Sequence, residues 1–140
     1  MRRQNLNFLI ISAAAIFFVA LISPVTAGTV RGRMLLQDGK PIVGGVGLFF
    51  DSRTGPAPDP DKDFRAPEYV YIVDDDGNFQ GELAAGKYYL IGAIEARPGS
   101  GQEKDLFFLI RDVKNEPLLI QVPEEGIVEL GTLSAAESHQ

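Results

Sequence analysis

Short extended segments separated by Asp-Gly and Gly turns recur along most of the chain. GRMLLQDGKPIVGGVGLFF occupies residues 32–50, and DDDGNFQGELAAGKYYLIGAIEA occupies residues 74–96. The apolar residues alternate with period two or form brief continuous runs, and no helical period is sustained after residue 28. Strands are expected at residues 29–36, 46–50, 68–73, 79–83, 87–95, 106–111, 118–122 and 127–133, with Val30 and Met34 on one face of the first. Asp38-Gly39, Asp76-Gly77 and Ala85-Gly86 supply reversals, because glycine accepts a positive φ without a Cβ clash. Strands at this spacing, punctuated by Gly, Pro and Asp, predict an all-β sandwich or barrel rather than an α/β fold.

Two stretches break the pattern. Residues 51–67 hold Pro56, Pro58, Pro60 and Pro67 among Asp59, Asp61 and Asp63. Proline cannot donate to a strand ladder and the acids repel one another, so an exposed loop is expected. Residues 97–104 contain Pro98-Gly99-Ser100-Gly101 and read as a second, flexible loop. The tail at residues 134–140 is expected to fray.

The N-terminal segment has a different character. Arg2 and Arg3 precede a nearly unbroken apolar run at residues 8–22, followed by small residues at Val25 and Ala27. That is the layout of a Sec-type secretory signal helix over residues 1–27, cut after Ala27. The run is short for a membrane span of roughly 20 residues, so membrane contact is expected only if the segment stays uncleaved as an anchor. Periplasmic or extracellular placement follows. Removing residues 1–27 takes away two arginines and no acid, leaving 11 basic against 19 acidic residues and a net charge of −8. A chain this acidic is unsuited to a phosphate backbone, so no nucleic-acid partner is expected. The 140-residue chain has no cysteine, which rules out disulfides, thiolate metal sites and haem attachment. Residues 28–133 must therefore be held by a hydrophobic core alone, and a domain of roughly 110 residues buries enough surface for that.

Gly32 with the first strand, then Asp38-Gly39-Lys40-Pro41 and Gly44-Gly45-Val46, resembles the opening of carboxypeptidase regulatory-like domains. Asp76-Gly77-Asn78-Phe79 and Leu83-Ala84-Ala85-Gly86-Lys87-Tyr88-Tyr89-Leu90 are similar to that family's centre, and VPEEGIVELGTL at residues 122–133 is similar to its closing strand pair. The sequence departs from the family at Gly45-Val46-Gly47, where Gly-Ala-x-Val is usual, and in the length of the 51–67 loop. The resemblance implies a transthyretin-like, seven- to eight-stranded Greek-key β-sandwich that serves exported proteins as a non-catalytic accessory module. Gly86 then lies at a reversal, and Phe79, Tyr88 and Leu90 are core residues.

Reaction chemistry has few candidates. His139 is the only histidine, so nucleophile–base pairs and multi-histidine zinc sites lack their parts. No cofactor and no catalytic residue are expected. Calcium is the one metal with candidate ligands. Asp74, Asp76 and Asn78 have the alternate spacing that opens a calcium loop, but Gly77 and Ala85 stand where an EF-hand needs other residues. Asp59, Asp61 and Asp63 form a second acidic set, with Lys62 and Arg65 nearby to balance it.

Aromatic residues give the strongest binding signal. Phe49, Tyr69, Tyr71, Tyr89 and Phe107 alternate with Phe50, Val70, Leu90 and Phe108, so several strands are apolar on both faces. One set must fill the sandwich. The other either forms an outer binding face or lies beneath the 51–67 loop. The function expected is an exported, non-catalytic sandwich that binds or supports another exported or envelope protein, with an exposed strand edge as one contact mode. The alternative is a carbohydrate- or small-ligand-binding module that uses Tyr69, Tyr71 and the acidic loop.

Overall fold

The computed structural model describes residues 26–42, 44–99, 101 and 103–135. Residues 1–25 of the expected signal segment, and His139, lie outside the described residues, while Ala27 opens β1. Eight strands follow in order: β1 Ala27–Leu36, β2 Gly45–Asp51, β3 Tyr69–Ile72, β4 Asn78–Ala84, β5 Gly86–Ile94, β6 Leu106–Leu109, β7 Ile120–Val122 and β8 Ile127–Ala135. Each matches an expected strand, with ends displaced by a few residues. β8 runs past the expected boundary at Leu133. Ser134 and Ala135 pair with Leu35 and Leu36 of β1, and Ala135 is buried in the core rather than frayed.

The strands form two sheets. One has the order β4-β1-β8; the other has β3-β2-β5-β6, with β7 also paired to β5. β1 is antiparallel to β4 and parallel to β8, and all pairs in the larger sheet are antiparallel. The chain passes from one sheet to the other between β1 and β2, β3 and β4, β4 and β5, and β7 and β8. β4 thereby returns beside β1 while β2 pairs with β3, which is a Greek key wrapped around a sandwich.

The Asp-Gly turns act at these crossings. Gly39 and Gly77 both take a φ of 85°. The Asp38 carboxylate accepts the Lys40 N–H, and the Asp74 carboxylate accepts the Asp76 and Asn78 N–H groups. Each aspartate thus closes its own loop before the chain enters the next sheet. Gly77 has a second reason to lack a side chain, since a Cβ there would meet the Met34 carbonyl.

Between the sheets lies a core of Val30, Met34, Ile42, Phe49, Phe79, Leu83, Tyr88, Leu90, Phe108, Ile110, Ile120 and Val122 with their neighbours. Val30 and Met34 share the inner face of β1 as expected, and Phe79, Tyr88 and Leu90 are all buried. The Tyr88 hydroxyl donates to the Ala84 carbonyl at 2.7 Å across the reversal at Gly86. A buried ring thereby fixes the corner between the two sheets, much as tyrosine corners do in other sandwiches.

Candidate functional site

Strand register decides which aromatics reach solvent. Phe49 pairs with Tyr69 and with Leu90, and all three face inward; Phe50 pairs with Tyr89, and both face outward. The five aromatics expected on one binding face are therefore divided. Phe49 is fully buried in the main core, and the Tyr69 and Tyr71 side chains pack against that core. Only Tyr89 and Phe107 belong to the outer face, with Leu48, Phe50, Ile91, Ala93 and Leu109. The expected single face is corrected by register: Phe49 stands opposite Leu90 rather than Tyr89, so Tyr89, like Phe107 opposite Ala93, falls on the other face of the sheet.

The outer face is mostly covered. Phe64, from the 51–67 loop, meets Phe50 and Phe107 edge-on at centroid distances of 5.7 and 5.1 Å. The Arg65 guanidinium lies 5.5 Å over the Phe50 ring and donates to the Asp51 and Pro56 carbonyls. Pro58 is buried as well. Of the two expected alternatives for this face, the 51–67 loop is a cover, with Asp59, Asp61 and Asp63 on its solvent side.

A polar latch holds both ends of that cover. Asp51 is 7% exposed and binds Arg53 through both carboxylate oxygens. The Asp51 N–H donates to Glu68 at 2.7 Å, and the Thr54 hydroxyl donates to Glu68 at 2.8 Å. The Arg53 hydrogen bonds hold the Asp51 carboxyl below its ordinary value, against the opposing effect of burial. Burial is the largest influence on Glu68 and pushes it upward, but donation from Asp51 and Thr54 and the nearby Arg65 bring it below its ordinary value.

The inward tyrosines have a different task. β4 is an edge strand, and its even-numbered residues turn their backbone groups away from β1. The Tyr71 hydroxyl donates to the Glu82 carbonyl, and the Tyr69 hydroxyl accepts the Ala84 N–H at 3.1 Å. The Ala84 carbonyl takes the Tyr88 hydroxyl, while Asn78 exchanges N–H and carbonyl with Asp74. Side chains thus occupy much of the β4 edge. Burial raises the Tyr71 hydroxyl, and it pushes Tyr88 up to about 12. The Tyr71 ring lies directly over Gly81, leaving no room for a Cβ. No sequence signal foretells these caps, because they join strands of different sheets.

β3 sits above β4 and stands at the edge of the larger sheet. Val73 donates to the Gly45 carbonyl, so alternation sends the backbone groups of Val70 and Ile72 away from β2, to the open side. The two residues are 54% and 79% exposed. Tyr69–Ile72 contains no charge, proline or bulge. β8, the far edge of the other sheet, is broken by a register shift with Gly131 at a φ of 69°.

A shallow groove of about 650 Å³ runs along the solvent face of the three-stranded sheet. Arg31, Arg33, Asn78, Gln80, Glu129 and Thr132 line it, with Ile72 and Asp74 beside them. Arg31 is ion-paired with Glu129, and Arg33 donates to the Asp76 carbonyl at 2.7 Å.

The two acidic sets considered for calcium are engaged locally. Asp59 accepts the Asp61 N–H, as Asp74 accepts those of Asp76 and Asn78. Among the described residues, no three His, Cys, Asp or Glu side chains gather as a metal-holding group.

No protein-family model matches the chain, and no curated protein matches it. Solved structures do resemble it. A DUF3823 family protein from Parabacteroides merdae is 17% identical, with a TM-score of 0.44, over 81% of this chain and 48% of its own. The minor pilin of Streptococcus agalactiae is 16% identical, with a TM-score of 0.47, over 82% and 46%. Hydroxyquinol 1,2-dioxygenase from Pseudomonas putida is 15% identical, with a TM-score of 0.40, over 84% and 58%. The chain spans about half the length of these proteins. Likeness at this level says nothing of activity or partners. The chain is an all-β, two-sheet sandwich of three and five strands.

Proposed function

We propose that this chain is an exported, non-catalytic accessory domain that binds or supports another periplasmic, extracellular or envelope protein. Its kinship is with the carboxypeptidase regulatory-like domains that its turn motifs resemble. The observation that carries the reading is the exposed apolar strand edge at Val70 and Ile72, on a sandwich whose outer aromatic face is largely covered by its own loop. The displaced titrating groups support a non-catalytic role. Asp51, Glu68, Tyr71 and Tyr88 are each engaged by a hydrogen bond that closes a loop or caps a strand. Perturbed groups at active sites, by contrast, face a cleft where substrate can reach them.

The test is a photoreactive residue placed at position 72 in living cells, with position 114 as a remote control. The reading predicts one adduct with an exported protein from position 72 and none from position 114. Equal, indiscriminate labelling from both positions contradicts it. A second reading, a carbohydrate-binding module, draws on the groove, whose arginine, amide and carboxylate groups suit sugar hydroxyls. It no longer draws on Tyr69 and Tyr71, whose hydroxyls are engaged with β4. Glycan-array binding that Gln80→Ala abolishes, without an adduct at position 72, favours this second reading over the first.

A further inference from the structure

We propose that β3 receives an antiparallel β-strand from the partner, an extended segment with alternating apolar side chains and basic residues at its N-terminal end. This rests on the reading that the domain serves a protein partner, and it names how that partner is held.

The backbone provides the first part of the argument. Val70 and Ile72 turn their N–H and carbonyl groups to the open side of the larger sheet. An added strand would extend the order β3-β2-β5-β6 by one, and antiparallel pairing is the more stable kind. The neighbouring β4 edge is a poorer competitor, because tyrosine hydroxyls and Asp74 already hold the outward groups of Asn78 and Ala84 and the Glu82 carbonyl. β8 is bulged and carries Glu129, both of which discourage pairing. β3 has neither defence.

Side chains narrow the partner's chemistry. On the outer face of β3, Val70 and Ile72 offer apolar contacts two residues apart, so a partner strand would bring apolar side chains with the same period. The chain leaves β3 through Asp74, Asp75 and Asp76, all exposed, and enters it through the exposed Glu68. In an antiparallel arrangement the N-terminal end of the partner passes the three aspartates. Lysine or arginine there would meet opposite charge, which steers encounter and sets register. Arg33 and Arg31 line the same groove; Arg33 Nε donates to the Asp76 carbonyl and Arg31 is ion-paired with Glu129, so the three carboxylates keep a net negative field. The same charges argue against a second copy of this chain. Antiparallel pairing of two β3 strands would place Glu68 of each near the aspartates of the other.

Amide hydrogen exchange with synthetic peptides tests this directly. The probe is a peptide of two lysines followed by three Val-Thr repeats; the control replaces the lysines with glutamates. The lysine peptide is expected to slow exchange at Val70 and Ile72 by at least tenfold, saturably, and the glutamate peptide by less than twofold. Asp75→Asn should weaken lysine-peptide binding by about two- to fivefold, the range of one exposed charge pair. Ile72→Lys should abolish the protection, and the exposed position makes the variant safe for folding. Unchanged exchange at Val70 and Ile72, or equal protection by both peptides, overturns the proposal. So does protection that grows with protein concentration alone, which would mean self-pairing. Because the probe replaces the native partner, a failure here alongside an adduct at position 72 would discard strand addition and leave the accessory role standing.

Discussion

Replacing Gly81 by alanine probes how the β4 edge is closed. A Cβ at this position would lie over an ångström short of ordinary contact with the Tyr71 ring. The ring must then move, and its hydroxyl leaves the Glu82 carbonyl. Overpacking of this kind costs about 1–3 kcal/mol, and the lost hydrogen bond adds about 1 kcal/mol. Restricting the unfolded chain returns about 0.4–1 kcal/mol. The expected net loss is about 2 kcal/mol. With a urea slope of about 1.5 kcal/mol/M, that lowers the unfolding midpoint by about 1.3 M. The decisive assay is the full cycle. In a Tyr71→Ala background the obstructing ring is absent, so Gly81→Ala should cost less than about 0.5 kcal/mol, giving a coupling energy near 2 kcal/mol. A neutral Gly81→Ala, or an equal loss in both backgrounds, would refute the placement of Tyr71 over β4.

Two further outcomes concern the loop cover. Phe64→Ala removes the ring that meets Phe50 and Phe107; because Phe64 is only partly buried, the expected cost is about 2 kcal/mol, below the 3–5 of a full core deletion, with increased binding of a hydrophobic dye as its second readout. Acid should loosen the same loop: Asp51 and Glu68 lie below their ordinary values of 3.8 and 4.5 in the folded state. Their stabilisation is therefore fully present above those values, declines as pH falls below them, and is lost as pH passes through the lower folded-state values. Thermal melts between pH 6 and 3 should show the fall, and Asp51→Asn should flatten it; an unchanged slope in that variant would remove Asp51 from the latch.

Much of this fold was legible because its cues are local. Gly39 and Gly77 take a positive φ, and the aspartates that close their loops, Asp38 and Asp74, stand within three residues of them. Tyr88 and Leu90 show their common face by alternation. The doublets Phe49-Phe50, Tyr88-Tyr89 and Phe107-Phe108 were harder. Each places one ring inward and one outward, and parity alone does not say which, since a shift of one residue exchanges the faces. The partners that settle it, Phe79 on the inside and Phe64 on the outside, are distant in sequence. Phe64 is the only aromatic between Phe50 and Tyr69. A lone aromatic in a proline- and acid-rich loop was the available sign that the loop folds back.

The exposed edge is the more consequential part of the candidate site, and it was only half legible. YVYI at residues 69–72 reads as a strand with apolar residues on both faces. Whether it lies at an edge depends on sheet order, and whether that edge is open depends on the tyrosine caps of the strand beneath it.

Residue-resolved amide exchange of the free protein tests the central claim most directly, that the sandwich caps much of the β4 edge and leaves β3 open. Tyr71, Val73 and Ala84 should be protected, Ala84 through the Tyr69 hydroxyl, while Val70 and Ile72 exchange at least a hundredfold faster than Tyr71. Val70 and Ile72 protected to the level of Tyr71, with Ala84 exchanging freely, would contradict the account.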